Sequence, residues 1–417
     1  MAKMQLSDSV KKIPLKASHK RLFYYFYQQI HHKNYMSWFF MHDLSGIKQH
    51  ILSRIHKCSI PRAMLIDPTY ECNLNCIGCY ASGYGKDEGL SFEELDDIIS
   101  QAEKLGIHFF LYTGGEPLMR KYDLVKIAKK HKFSIFHAFT NGTLIDEAYA
   151  DEVAKIENLT FGFGVEGFRE ETDFRRGEGT YDKIMEAMDL LKERGVSFAF
   201  ASCFHPKNYE VVTSDEFIDL MIEKGCWAGW YFTYLPVGQD ASLELVCEPE
   251  QRAYVSNKVR MIREAKKINV IDFWNDGYMV GGCIAGGRQY IHINSRGDVE
   301  PCAFCHYSDA NIRNMSLLDA LRSPFLKKFR SCQPFNDNPF MACPVLDNPE
   351  KLVDIVNKTK ARSTEMCAEE NVEDLANKTK PISQKWQHKA DELYETLSMK
   401  DKKMSKQKQN YYSKFKK

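Results

Sequence analysis

Cys72, Cys76 and Cys79 stand within eight residues, in the run Tyr70-Glu-Cys-Asn-Leu-Asn-Cys-Ile-Gly-Cys-Tyr80, with an aromatic residue directly after the third. Three thiolates at C-x3-C-x2-C spacing can hold three corners of a cubic iron–sulfur cluster, whose usual complement is four protein thiolates. The fourth iron then lacks a protein ligand and can take a substrate or cofactor. Two plainer chemistries compete. Disulfides want pairs and an oxidising compartment, whereas this triplet is odd and follows no recognisable secretory leader. Structural zinc favours paired C-x2-C units with a distant second pair and a closed fourth position. Here the x3 gap adds a third close cysteine without a local fourth, which favours the cluster.

Two further segments follow in order, Gly114-Gly115-Glu116-Pro117 and Thr140-Asn141-Gly142. Together with the cysteine motif they make the chain resemble the radical S-adenosylmethionine (radical SAM) superfamily over about residues 60 to 350. The resemblance implies a [4Fe–4S] cluster bound by the three cysteines plus S-adenosylmethionine. It also implies reductive cleavage of that cofactor to a 5′-deoxyadenosyl radical, which abstracts hydrogen from an unactivated carbon. By the same resemblance, the backbone of Gly114 and Gly115 and the side chain of Glu116 approach the amine of the methionine moiety. Pro117, Thr140 and Asn141 belong to the same cofactor-binding motifs. Glycine suits close backbone approach because a Cβ would block it, although Gly-Gly-x-Pro also marks a simple turn. Tyr80 would flank the adenine. Arg176 matches the arginine of the family's HDxxRG pattern and would pair with the carboxylate bidentately. Thr172 stands where that pattern has its histidine. Glu166, in Val165-Glu-Gly167, replaces the aspartate of a common Asp-Gly pair and carries its carboxylate one methylene further out.

Cys283, Gly297 and Cys302 fit the C-x9–15-G-x4-C opening of the SPASM and twitch extensions, while the rest of the full SPASM pattern is absent. That resemblance implies one auxiliary cluster, of the [4Fe–4S] kind, held by Cys283, Cys302 and Cys343 with Cys305 as the fourth ligand. The C-x2-C of Cys302 and Cys305 would equally suit half a zinc site. An iron left open to substrate is the alternative if Cys305 is not a ligand. The remaining cysteines read mostly as small buried fillers. Cys203 is singled out because it ends a strand pattern at the barrel mouth, where its thiol could give a hydrogen atom to a substrate radical; a plain filler is the competing reading.

These residues need elements to hold them. Apolar runs at 63–66, 108–112, 133–136, 159–163, 198–201 and 230–234 predict strands, and helical patterns lie between most of them. Ser91-Phe-Glu-Glu94 is a capping box that opens one helix, which Gly106 closes. Repeated strand–helix units predict an α/β protein with a parallel sheet. The resemblance implies a partial (β/α)6 TIM-like barrel. Chemistry then belongs at the C-terminal strand ends, where Cys72, Gly114, Thr140 and Cys203 fall. The expected organisation is an N-terminal helical, aromatic and basic segment (1–60), the core barrel (61–270), a small Cys-rich auxiliary domain (271–350) and a C-terminal helical region with a Lys-rich tail (351–417).

At 417 residues, 44% hydrophobic and net charge +1, the chain has the composition of an ordinary globular protein, and bulk charge gives no sign of nucleic-acid binding. No apolar run approaches the ~20 residues of a spanning helix. The expected setting is reducing and cytoplasmic. A second reading adds a peripheral membrane contact through Phe39, Phe40 and Trp38 with the lysines before them; packing of those aromatics as core is the plainer one. The leading function is radical maturation of a peptide or protein, reduced by a flavodoxin- or ferredoxin-type donor. Radical modification of a lipid, isoprenoid or cofactor precursor is the alternative among enzymes. A non-catalytic iron–sulfur relay or scaffold is the alternative from another class, which the open triad and Glu116 disfavour.

Overall fold

The computed structural model describes residues 48–413 except 85–88, 239 and 368. The aromatic and basic N-terminal stretch and the last four residues of the Lys-rich tail lie outside the described residues.

Alternating apolar runs and capped helices build one nine-stranded sheet. Its strands are β1 (Ala63–Ile66), β2 (Phe109–Tyr112), β3 (Ile135–Thr140), β4 (Leu159–Gly164), β5 (Phe198–Phe204), β6 (Ala228–Thr233), β7 (Asn269–Asp272), β8 (Tyr290–Ile293) and β9 (Val299–Glu300). The order across the sheet is β7-β6-β5-β4-β3-β2-β1-β8-β9, parallel throughout except for β9 against β8. The crossovers carry α1 (Phe92–Lys104), α2 (Lys121–Lys130), α3 (Glu147–Val153), α4 (Arg169–Arg176), α5 (Thr180–Glu193), α6 (Asp215–Lys224) and α7 (Pro249–Ala265). The box at the start of α1 is formed: Glu94 N donates to Ser91 Oγ at 3.0 Å, and Ser91 N donates to Glu94 Oε2 at 2.7 Å.

The six expected strand–helix units make the partial barrel, and two more parallel strands extend it. β7 adds to the β6 edge, and β8 pairs with β1 in the register Ala63↔Tyr290 and Leu65↔His292. The sequence hides β8 because its four buried residues include a tyrosine and a histidine in place of an apolar run. The expected strand at 133–136 also starts too early. Phe133 is 70% exposed in the preceding turn, and pairing begins at Ile135.

Side-chain alternation gives the sheet two different faces. Ile66, Phe110, Phe136, Phe161 and Phe200 are fully buried on the helix-covered face. Leu65, Phe139, Trp230, Phe232 and Phe273, on the opposite face, are only half-buried. The inner face therefore lines an apolar lumen whose wall is less completely buried than the helix-covered face.

Beyond β7 lie α8 (Gly277–Val280), a strand pair β10 (Tyr307–Ser308) with β11 (Arg362–Ser363), and helices α9 (Leu317–Leu321), α10 (Pro324–Ser331), α11 (Pro349–Thr359), α12 (Val372–Thr396) and α13 (Met399–Ser413). Trp386 of α12 lies over the Arg252 guanidinium at 4.1 Å, and Arg252 Nη1 meets Asp347 Oδ1 at 2.6 Å, tying α7 to the segment before α11. Among the described residues no helix is long and apolar enough to cross a membrane.

Candidate metal and cofactor centre

The loop after β1 carries Cys72, Cys76 and Cys79 at the mouth of the lumen, all three partly buried. Leu74 N donates to Cys72 Sγ at 3.4 Å, and Ile77 N donates to Arg175 O at 2.9 Å, which ties the loop to the end of α4. Burial, with the nearby Glu116 and the other two thiols, pushes Cys72 up to about 11 against the pull of the Leu74 N–H. Burial also raises Cys79, with Cys76 adding to it and Arg175 and Arg176 opposing it. The two guanidiniums pull Cys79 toward thiolate, the form a metal requires, without overcoming burial.

The glycine-rich segment after β2 packs against this loop backbone to backbone. Gly115 N donates to Thr69 O at 3.1 Å and Glu116 N to Glu71 O at 2.8 Å. A Cβ on Gly114 would stand 2.6 Å from Thr69 O, and one on Gly115 would stand 2.6 Å from Tyr70 O. Only glycine fits, so the segment is more than a generic turn. Glu116 caps the short helical turn Pro117–Arg120 and is buried. Its carboxylate accepts from Leu118 N (2.9 Å), Thr140 Oγ1 (2.7 Å) and Asn141 N (2.7 Å). Burial raises its pKa even against those three donors. Asn141 Nδ2 reaches Asn73 Oδ1 at 2.9 Å, closing the circuit from the Thr-Asn-Gly turn to the residue after Cys72. Tyr80 Oη accepts a long hydrogen bond from Gly114 N (3.4 Å), and its ring meets Phe304 at 4.9 Å between centroids.

Glu166 and Arg176 meet each other. Glu166 Oε1 accepts from Arg176 Nε (3.0 Å) and Nη2 (2.7 Å) and from Arg175 Nη1, while Oε2 accepts from Cys203 N at 2.8 Å. Burial opposes charge on Glu166, but the two guanidiniums hold its carboxyl below the usual range. Sequence reading set Arg176 against a cofactor carboxylate; the structure makes any such carboxylate share a guanidinium already engaged with Glu166. It also brings in Arg175, whose only sequence signal was its place beside Arg176. Cys203 sits at this cluster, half-buried, with its thiol pushed up to about 11 by burial.

A second set of cysteines surrounds a cavity of about 110 Å³, lined by Cys283, Cys302, Cys305, Cys343, Tyr290 and Trp274 among others. Cys332 and Cys367 do not line it. Tyr290 Oη donates to Cys302 Sγ at 2.7 Å. Burial pushes Cys302 up to about 12 and raises Cys283, Cys305 and Cys343 as well. A void ringed by four thiols fits a cubane, which spreads its ligand sulfurs over separate irons. No disulfide forms among the described cysteines; Cys58, Cys226 and Cys247 are buried fillers, and Cys367 is exposed.

Between the two cysteine sets lies a charged joint that sequence reading missed. His292 Nδ1 meets Glu300 Oε2 at 2.6 Å and Nε2 meets Asp67 Oδ2 at 2.9 Å, all three fully buried. Glu300 also accepts from Tyr84 Oη (3.1 Å) and Asn294 Nδ2 (3.0 Å), and Asp67 accepts from Thr113 Oγ1 at 2.6 Å.

Residues 66–221 match the model of the radical SAM superfamily, and residues 283–344 match an iron–sulfur cluster-binding domain, SPASM. The mycofactocin maturase MftC of Mycobacterium tuberculosis is 27% identical over 290 residues, 63% of this chain and 73% of that protein. An AdoMet-dependent heme synthase of Methanosarcina barkeri is 25% identical over 282 residues, 61% of this chain and 80% of that protein. Across curated relatives of this kind the aligned span covers from 32% to 80% of the relative's own length. Among solved structures, Streptococcus suis SuiB bound to its precursor peptide SuiA shares the fold, with a TM-score of 0.54 and 21% identity over 66% of this chain and 67% of that one.

Proposed function

Since this chain is a radical SAM superfamily enzyme with an auxiliary iron–sulfur domain, we propose that it matures a peptide by abstracting hydrogen from an unactivated carbon of it. The bound [4Fe–4S] cluster and S-adenosylmethionine supply a 5′-deoxyadenosyl radical; the cofactor brings that chemistry and the protein brings orientation and exclusion of water. Cys72, Cys76 and Cys79 would hold the cluster by three thiolates. Gly114 and Gly115 admit the amine of the methionine moiety, with Glu116 fixed in place by Thr140, Asn141 and Leu118. Arg176, shared with Glu166, faces the carboxylate, and Tyr80 flanks the adenine. Cys203 stands at the strand end beside Arg175, its thiol protonated and able to give a hydrogen atom. Cys283, Cys302, Cys305 and Cys343 hold the auxiliary cluster.

The observation that carries this reading is the apolar, half-buried inner wall of Leu65, Phe139 and Phe232, on strands whose C-terminal ends lead to the cysteine loop, the Thr-Asn-Gly turn and the segment after β6, which we read as the surface that meets a substrate side chain. The likeness to a maturase supports maturation as the activity. The aromatic character of that wall, with Trp230 5.5 Å from Phe139 between ring centroids, favours a second reading. In it a tetrapyrrole cofactor precursor occupies the lumen, as the heme synthase relative suggests. A low-potential flavodoxin or ferredoxin in the cytoplasm is the proposed reductant.

The test is anaerobic incubation of reduced protein with S-adenosylmethionine and, separately, short peptides encoded beside its gene or iron-coproporphyrin. The expected result is faster 5′-deoxyadenosine release and a mass change with a peptide. A mass change with the porphyrin alone would transfer the assignment to the second reading.

A further inference from the structure

The auxiliary site holds a feature that ligation alone does not require. Tyr290 opens β8, between β1 and β9, and its ring is 5% exposed and packed 6.0 Å from Phe273 between centroids. A buried side chain on a strand paired with β1, packed against Phe273, has little freedom to turn away from Cys302 Sγ, 2.7 Å from its hydroxyl. We propose that Tyr290 sets the reduction potential of the auxiliary cluster by donating this hydrogen bond to the Cys302 thiolate. The proposal rests on the reading of Cys283, Cys302, Cys305 and Cys343 as the ligands of that cluster.

The physical argument concerns where charge goes on reduction. An added electron raises the negative charge on the cluster and its thiolate sulfurs, and a hydrogen bond to a more negative acceptor is stronger. The donor therefore stabilises the reduced form more than the oxidised one and raises the potential, which in such clusters follows hydrogen bonds to sulfur, net charge and burial.

The surrounding charges do not cancel this effect. Arg288 donates to the carbonyls of Val280, Gly281 and Cys283, placing a guanidinium on the Cys283 turn. Gln333 Nε2 donates to Cys283 O at 3.2 Å. On the negative side, Glu300 lies near Cys302 but is paired with His292, and Asp347 lies near Cys343 but is paired with Arg252.

The experiment uses the full chain carrying Cys72→Ala, Cys76→Ala and Cys79→Ala, so that the auxiliary cluster is the sole paramagnet, in an EPR-monitored redox titration. Tyr290→Phe keeps the ring and removes the donor. It should favour the oxidised form by about tenfold, a midpoint lowered by about 59 mV for one electron. Replacing Tyr290 by 3,5-difluorotyrosine makes the phenol a stronger donor and should raise the midpoint. Unchanged midpoints in both variants overturn the proposal. If Tyr290→Phe fails to take up iron, the direction of the fluorinated variant decides alone. If the parent triple variant holds no cluster, it is the auxiliary-site reading that fails.

Discussion

One carboxylate oxygen, Glu166 Oε1, accepts from two guanidiniums, and the largely buried cluster it makes with Arg175 and Arg176 also takes the Cys203 backbone N–H on Oε2. Removing one partner of a buried pair leaves uncompensated charge and typically costs ~3–5 kcal/mol. Glu166→Ala is therefore expected to lose about that much stability, measured by denaturant unfolding of the anaerobic protein. A loss well under ~1 kcal/mol would mean that solvent reaches the guanidiniums and that the cluster is electrostatically unimportant. At this scale the sequence showed the members without their partnerships. Glu166 and Arg176 each stood out by motif, but ten residues across a strand-to-helix turn carry no periodicity that would pair them. The glycines were legible because a missing Cβ is written in the sequence, and the structure supplies the carbonyls that demand it.

The joint of β1, β8 and β9 shows what is legible at the level of elements. Short apolar strands between capped helices announce themselves, whereas β8 is concealed by the very residues that make it useful. Tyr290 points to the auxiliary cysteines, and His292 is clasped by Asp67 and Glu300. Burial works against charge on His292, but Asp67 and Glu300 prevail and carry its pKa up to about 10. A group whose pKa is raised on folding stabilises the fold below its unfolded value of 6.5 and loses that contribution as pH climbs through the folded value. The melting temperature is thus expected to fall between neutral pH and about 10, with the decline flattened in His292→Gln. Equal slopes in the two proteins would show that His292 is not the group that titrates. Local pattern could not reveal this triad, because its members come from two strand ends and a strand about 230 residues apart in sequence.

For the whole molecule, the sequence carried the architecture of strand–helix repeats and the two cysteine sets, but not how the second set attaches to the first. The expected division near residue 270 falls within one sheet, since β7, β8 and β9 all belong to it and β9 alone runs antiparallel. Long-range pairing of β8 with β1, set by register and burial, leaves no local mark. The central claim is that two separate cysteine sets hold two clusters and that only the first performs the cleavage. Iron content and 5′-deoxyadenosine release, measured on reconstituted protein and on the combined Cys72→Ala, Cys76→Ala, Cys79→Ala variant, test it directly. About eight irons are expected in the parent and about four in the variant, as two cubane clusters require, with release of 5′-deoxyadenosine abolished. A variant that kept all its iron, or still formed 5′-deoxyadenosine, would contradict the account.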